Sequence, residues 1–367
     1  MHTQQALNLN IYAESRQQFE YQQIKQGGGG KRLSNIESLR IVAMSMILIH
    51  HFLCHSLGFD YKIVYALNPL FYSGVTIFFM ISGYFTIRYS LERFLRFMLL
   101  IVCFGAVNII LCFFTGSQPS ILRCFTSVFF PNYGSPYWFI KVYSMLIIAA
   151  PILNYALDRL PHDRLRNTLI LLLFYVFYGW YNYTEFSFLQ GFYCYIAGYY
   201  LGRYRPFDNV KSGWYVAAFA VSCVAGIAGG LFMYHKGYIG QENYFDSYRS
   251  VFVFVSGASL LVLFSTKKFI SLWVNRVAGA AFGCYLLQDG YFGANYFYEF
   301  QHQYFLTHEW QSTFLMFAAT FIAIWIVSYI LTRFFNTFIP QLSKILSCTA
   351  HRLMHRFFLF SKIMTNN

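Results

Sequence analysis

The chain has 367 residues, of which 57% are hydrophobic and only 11% are charged, and its formal net charge is +13. A soluble protein carries about 25% charged residues, which form its hydrated surface, so this composition excludes a cytosolic enzyme and a secreted disulfide-linked scaffold. The basic residues lie in short clusters between apolar runs, which also argues against a nucleic-acid-binding protein.

The N-terminal segment, residues 1–32, is polar and rich in glutamine, and it ends in Gly27–Gly30 followed by Lys31 and Arg32. It has no apolar core of the kind found in a cleavable signal peptide. We therefore expect a disordered cytoplasmic lead-in with a glycine hinge.

Ten apolar runs follow, and most are long enough to cross a bilayer. They are continuously apolar rather than alternating, which favours a helical bundle. The sequence thus predicts an all-α fold, a polytopic transmembrane helix bundle of about ten spans within residues 33–340. The predicted spans are 40–58, 68–88, 95–115, 136–154, 167–182, 186–202, 213–234, 249–266, 278–296 and 312–335.

The orientation of the spans follows from lysine and arginine, which concentrate in cytoplasmic connections. With the N-terminus inside, only Lys62, Arg123, Lys236 and Arg249 fall outside, and all other basic residues except Lys141 fall inside. We therefore predict that both termini are cytoplasmic. The basic tail, residues 341–367, also carries apolar side chains and could lie along the inner leaflet as an interfacial helix.

The first span carries a candidate catalytic pair. Arg40 and His51 are about three turns, or on the order of 16 Å, apart along a helix axis, so they share a face. Glu37 precedes Arg40 by one turn. An ionisable residue inside a membrane is costly and indicates function, and an imidazole can take and return a proton near neutral pH. The alternative is a hydrogen-bonded packing histidine.

Metal binding is the other chemistry that these histidines could suggest. His50 points to another face and is interpreted as structural. His51 and His55 are four residues apart, a spacing that can hold a metal, but no third ligand pair accompanies them. The eight cysteines form no Cys-x-x-Cys pair and are interpreted as small apolar residues. No metal site is predicted.

Three further segments carry candidate residues. Ser82 and Gly83 form a small pair among bulky residues, which by itself favours close helix packing. Arg93 and Arg96, with Arg88 nearby, share a face at the cytoplasmic start of the third span; by themselves they suggest a topological anchor, although paired guanidinium groups also suit phosphates. The last segment lies at the outer end of the fourth span, where an aromatic belt is expected, and contains Tyr137, Trp138 and Lys141.

Together these motifs resemble the acyltransferase-3 family of integral-membrane acyltransferases, over residues 33–335. The resemblance rests on their order, their spacing and the side of the membrane on which they are predicted to lie. The motifs are Glu37-x-x-Arg40, Arg40 with His51, Phe-Phe-Met-Ile-Ser-Gly-Tyr at 78–84, Arg93-x-x-Arg96, Tyr-Trp-Phe at 137–139, and Cys-Tyr-Leu-Leu at 284–287.

The resemblance implies a membrane O-acyltransferase. The donor would be acyl-CoA on the cytoplasmic side, usually acetyl-CoA, and the acceptor would be a sugar hydroxyl of a cell-surface polysaccharide or oligosaccharide. It also implies a protein embedded in the lipid of a bacterial inner membrane. The acyl group, the acceptor sugar and the oligomeric state are left open.

The same resemblance implies roles for single residues. His51 would be the catalytic base or a transient acyl carrier, with Glu37 orienting Arg40 beside it. The CoA phosphates or the thioester would be handled by Arg40 and, in the second and third spans, by Ser82, Arg88, Arg93 and Arg96. The acceptor would enter from the outer side, past Tyr137, Trp138 and Lys141.

Two departures from the family pattern matter. Gln288, followed by Asp289, stands where the family often has a histidine, and we expect this pair to bind the sugar instead. No hydrolase-like domain follows the last span, so we expect direct transfer to the acceptor or a separate partner protein. The competing hypothesis is a proton-coupled carrier or flippase of a lipid-linked saccharide that uses His51 as a relay.

Overall fold

The structure is a computed structural model, and it describes residues 33–115, 119–130, 137–178, 183–240 and 243–365. Helices make up most of these residues, and no strand occurs among them, which confirms the all-α prediction. In chain order the helices are α1 (Ser34–His51), α2 (Lys62–Leu67), α3 (Gly74–Phe85), α4 (Leu91–Phe114), α5 (Ile121–Phe129), α6 (Trp138–Arg159), α7 (His162–Tyr178), α8 (Tyr183–Tyr204), α9 (Ser212–His235), α10 (Val251–Thr266), α11 (Leu272–Ala278), α12 (Ala281–Gln288), α13 (Tyr298–Thr307), α14 (Trp310–Phe335) and α15 (Ile339–Thr365).

Seven helical stretches in the described residues are long and apolar enough to cross a membrane. A polytopic membrane protein is therefore confirmed, whereas the count of ten spans and the cytoplasmic position of both termini stay predictions. The seven stretches are Ser34–Leu57, Lys62–Phe85, Leu91–Phe114, Trp138–Arg159, Ser212–His235, Tyr244–Thr266 and Trp310–Phe335.

The other three predicted spans have identifiable structures. Residues 167–182 and 186–202 correspond largely to α7, which has only 17 residues, and to α8. The prediction of one continuous helix over 278–296 is wrong: α12 ends at Gln288, and a π-helical segment, Gly293–Phe297, follows after a break. The lead-in, 1–32, lies outside the described residues. Most of the tail is helical, as α15, and its position on the inner leaflet stays a prediction.

The chain divides into two compact units. In the described residues, the first contains 33–87 and 152–278, and the second contains 88–151 and 279–365. The boundary falls inside α6 at Pro151, where the proline removes one backbone donor from the helix. Each predicted site residue therefore belongs to one unit or the other.

Within the first unit, α3 and α8 approach so closely that only glycine fits at the contact. A Cβ atom added at Gly83 would lie 1.9 Å from the Tyr195 carbonyl oxygen, and one added at Gly198 would lie 2.0 Å from that of Met80. The hydroxyl of Ser82 donates to the carbonyl of Phe78, one turn earlier. The small Ser82–Gly83 pair thus belongs to a helix-packing contact, as its composition alone suggests.

We expect Gly83→Ala to destabilise the protein by roughly 1–3 kcal/mol or more, because backbone atoms of α8 must move to accept the methyl group. Gly213→Ala is the matched control, because nothing lies within 4 Å of the added atom. Thermal unfolding in detergent, followed by size-exclusion chromatography, measures both. Equal midpoints for the two variants would contradict the close approach.

Candidate active site

The N-terminal end of α1 is hydrogen-bonded to a later segment of the first unit. The preference of lysine and arginine for cytoplasmic connections, called the charge rule below, places this end of α1 on the cytoplasmic side. The hydroxyl of Ser34 lies 2.8 Å from Oδ1 of Asn275, to which it donates, and accepts from the backbone N–H of Ser271 at 2.7 Å. The amide of Asn35 donates to the carbonyl of Phe264 at 2.8 Å. These long-range bonds hold the first turn of α1, and with it Glu37 and Arg40, in a defined orientation.

Glu37 and Arg40 form an ion pair one turn apart on α1, with Nη1 of Arg40 donating to Oε1 of Glu37 at 2.5 Å. The Glu37 side chain is 9% exposed and that of Arg40 is 32% exposed. A carboxylate that is nearly buried needs such a partner. The guanidinium of Arg40 is thus held by Glu37 and keeps part of its surface accessible.

His51 is the last residue of α1, is 6% exposed, and is followed directly by a π-helical segment, Phe52–Leu57. Segments of this kind occur often at functional sites. The His51 ring centroid lies 5.4 Å from those of both His50 and His55. The structure therefore places three imidazoles near one another. In the part of the chain that it describes, no three His, Cys, Asp or Glu side chains are arranged so that they could hold a metal ion.

The sequence interpretation missed a polar cluster around His50. Nδ1 of His50 lies 2.6 Å from Oδ1 of Asn68, and Nδ2 of Asn68 lies 2.5 Å from Oδ1 of Asp246. All three residues are buried. The rule that a buried ionisable residue indicates function would have found Asp246, but the predicted span began at residue 249 and so left this acid in a connection.

In the second unit, the arginines lie in and before the first turns of α4. The hydroxyl of Ser90 caps this helix by accepting from the backbone N–H of Arg93. The Arg93 side chain donates to the carbonyl of Arg88 at 3.2 Å, and Arg96 forms an ion pair with Glu92 at 2.9 Å. A helix N-terminus attracts anions, and two guanidinium groups beside it add to that attraction.

Because Glu92 competes with any anion for Arg96, Glu92→Gln should strengthen binding of the acyl-CoA donor that the family resemblance implies. We expect its KM to fall about two- to fivefold, the effect of losing one exposed ion pair of up to about 1 kcal/mol. Initial rates at graded acetyl-CoA concentrations measure it. Asp163→Asn removes a comparable exposed partner, that of Arg166, and should leave the KM unchanged. A higher KM in Glu92→Gln would contradict the prediction.

The residues predicted at the outer end of the fourth span have different surroundings. Tyr137 is 1% exposed, and its hydroxyl donates to the carbonyl of Leu286 at 2.6 Å, which ties it to α12. Trp138 is half-buried and Lys141 is exposed, one turn apart on α6. Tyr137 is therefore part of the packing of the second unit, whereas Trp138 and Lys141 present surface. A role for these three residues toward an acceptor stays a prediction.

Gln288 and Asp289 are buried at the break after α12. Asn108 holds the break: its Nδ2 donates to the carbonyl of Leu286 and its Oδ1 accepts from the backbone N–H of Phe292. A Cβ atom at Gly290 would lie 2.3 Å from Oδ1 of Asn108, so glycine is required there. Gln288 also borders a cavity of about 190 Å³ that is otherwise mostly apolar. A discontinuous helix is typical of polar sites within membranes.

The predicted site residues thus form two groups, one in each unit. Glu37, Arg40, His51 and Ser82 lie in the first unit, and the arginines, the outer aromatics, Lys141, Gln288 and Asp289 lie in the second. A family model described as an acyltransferase domain, Acyl_transf_3, matches residues 33–333. No curated protein and no solved structure matches the chain. The match spans most of the sequence, so this chain belongs to the acyltransferase-3 family and is a membrane acyltransferase.

Proposed function

We propose that this acyltransferase moves an acetyl group from cytoplasmic acetyl-CoA to a sugar hydroxyl of a cell-surface polysaccharide or oligosaccharide, in a bacterial inner membrane. The observation that carries the proposal is the arrangement on α1, where a buried His51 lies about three turns along the helix from a partly exposed guanidinium held by Glu37. In a member of an acyltransferase family, that arrangement supplies both a base and a positive charge.

The chemistry requires both groups. In the overall reaction the ester C–O bond forms, the thioester C–S bond breaks, and the proton of the acceptor hydroxyl goes to the CoA sulfur. A base must take that proton, and positive charge must stabilise the oxyanion that develops on the carbonyl. His51 is the base or a transient acyl carrier in this proposal, and Arg40 supplies the charge.

The donor's phosphates are assigned to the start of α4. Arg93 and Arg96 are the main partners, with Arg88 beside them, because a guanidinium binds a phosphate through two parallel hydrogen bonds. Ser82 is proposed only as a neighbour of the donor. Trp138, Lys141, Gln288 and Asp289 are proposed to contact the sugar, through stacking and through hydrogen bonds to its hydroxyls.

The test is the acylation of surface glycans in cells with the intact gene and in cells that lack it. Proton NMR before and after mild base identifies the O-acetyl signal, and membranes supplied with [¹⁴C]acetyl-CoA show whether the label comes from that donor. We expect the signal and the label only with the intact gene. Unchanged acylation with a fall in the amount of exported glycan would overturn the proposal in favour of a carrier or flippase.

A further inference from the structure

A chain of buried polar side chains joins three segments of the first unit. His50 lies on α1, Asn68 lies in the 3-10 turn Asn68–Leu70, and Asp246 lies in the 3-10 turn Tyr244–Asp246 before α10. They are 7%, 0% and 1% exposed. Burying three polar groups is costly unless each is hydrogen-bonded, so the burial of these three side chains together requires an explanation.

The hydrogen-bond directions in the chain are fixed from its acidic end. The amide nitrogen of Asn68 can only donate, and it faces the carboxyl group, so Nδ2 of Asn68 donates to Oδ1 of Asp246. The amide oxygen of Asn68 therefore faces His50, and Nδ1 of His50 must carry the hydrogen that is donated to it. Cys54 completes the cluster, with its sulfur 3.4 Å from Nδ2 of Asn68 and 3.5 Å from Nδ1 of His50.

This tautomer leaves Nε2 of His50 as the basic nitrogen. Both hydrogen bonds of the His50 ring to the described residues are made by Nδ1. At the other end, Oδ2 of Asp246 is buried and has no hydrogen-bond partner among those residues. A buried carboxylate with one unmatched oxygen is expensive, and a carboxylate that acts through a hydrogen bond raises the basicity of an imidazole.

The three hydrogen-bonded side chains lie where an acceptor sugar would approach His51. His50 is adjacent to His51 in the sequence, and their ring centroids are 5.4 Å apart. By the charge rule, Asn68 and Asp246 lie next to outer connections, which is the side from which a surface glycan would enter. The ring of Tyr72 covers one part of His50 at 4.4 Å between centroids and holds it in place.

We propose that Asp246 and Asn68 are positioning residues that fix His50 with Nδ1 protonated, so that its Nε2 takes the proton of the acceptor hydroxyl beside His51. This inference rests on the proposed acetyl transfer. The acetyl group passes to a ring nitrogen of His51 as the thioester C–S bond breaks, and the acyl–nitrogen bond breaks as the acceptor oxygen forms the ester. The hydroxyl proton passes to Nε2 of His50 and from there to the CoA sulfur. The relay thus assigns the acceptor-side proton transfer to His50 and leaves His51, of the two roles proposed for it above, that of the transient acyl carrier.

Two variants test the relay. Asp246→Asn keeps an oxygen for Asn68 but loses the charge. His50→Asn keeps an amide nitrogen near the position of Nδ1 and has nothing at the position of Nε2. Membranes that contain the cell's own glycan and graded [¹⁴C]acetyl-CoA give kcat and KM per folded molecule, in H₂O and in D₂O. We expect kcat to fall about 10²–10⁴-fold in His50→Asn, which loses the base, and about 10- to 100-fold in Asp246→Asn, which loses a positioning partner. The KM for acetyl-CoA should be unchanged in both, and the solvent isotope effect should rise in Asp246→Asn.

Asn243→Ser is the matched control, because Asn243 is equally buried in the same segment but bonds only to the backbone, at Gly230 and Phe245. It should change stability and leave kcat per folded molecule unchanged. If both relay variants kept the wild-type kcat, or lost it only as Asn243→Ser does, the relay would be wrong and the acetyl transfer would stand. If the wild type transferred no acetyl group from acetyl-CoA, the proposed function would fall, and the relay with it.

Discussion

His51→Ala is expected to reduce acetyl transfer by about a thousandfold while the protein still folds and inserts. General acid–base catalysis contributes roughly 10²–10⁴-fold to a rate, and a transient acyl carrier would contribute at least as much. His51 is 6% exposed, and its ring centroid lies 5.4 Å from those of His50 and His55, so neither of these imidazoles occupies the position that the His51 ring would vacate. The measurement is the initial rate of transfer from [¹⁴C]acetyl-CoA per folded molecule.

The control for this prediction is His235→Ala, which removes an exposed imidazole from the end of α9 in the same unit. It should leave the rate unchanged. His51→Gln adds a test of shape, because glutamine fills much of the same volume but cannot act as a base, and it should be as inactive as His51→Ala. A His51→Gln protein with the wild-type rate would show that His51 only packs.

Much of the fold could be predicted because a membrane imposes simple rules on composition. The long apolar runs became helices, and the spacing of Glu37 and Arg40 predicted the contact that the structure shows. The helix break after Gln288 could not be predicted, because Asn108, which holds it, is far away in the sequence. A hydropathy window averages over such a break and reports one apolar run.

The candidate site was predictable only where its residues are neighbours on one helix. His50 was interpreted as structural because it points to another face of the helix. Its hydrogen-bond partner Asn68 and the next residue of the cluster, Asp246, belong to two other segments, and only the fold brings them together. Tyr137 shows the same limit: its place at the end of a predicted span could not reveal that it is buried and that its hydroxyl donates to the carbonyl of Leu286. Local spacing reveals pairs within a helix, whereas contacts between segments require the structure.

The Arg93→Ala/Arg96→Ala double variant is expected to lower kcat/KM for acetyl-CoA about 100-fold, mostly through KM. Hydrogen bonds to charged groups contribute about 1.5–3 kcal/mol each, and the side chain of Arg96 is 46% exposed, so the lower end applies to each residue. Lysine at both positions should restore only part of the loss, because an ammonium group keeps the charge but cannot bind a phosphate through two parallel bonds.

The competing explanation is that Arg93 and Arg96 only anchor the topology. A second pair of arginines distinguishes this explanation from phosphate binding. Arg164 and Arg166 are exposed at the start of α7, and the charge rule places them on the cytoplasmic side as well. Arg164→Ala/Arg166→Ala removes the same positive charge as Arg93→Ala/Arg96→Ala. An anchoring role therefore predicts an equal loss of kcat/KM in the two double variants, whereas phosphate binding predicts a loss only in Arg93→Ala/Arg96→Ala.

Acetyl-dephospho-CoA, which lacks one phosphate, adds a second test of phosphate binding. It should be a poorer donor than acetyl-CoA for the wild type and an equal one for Arg93→Ala/Arg96→Ala, because the variant has already lost the groups that bind the missing phosphate.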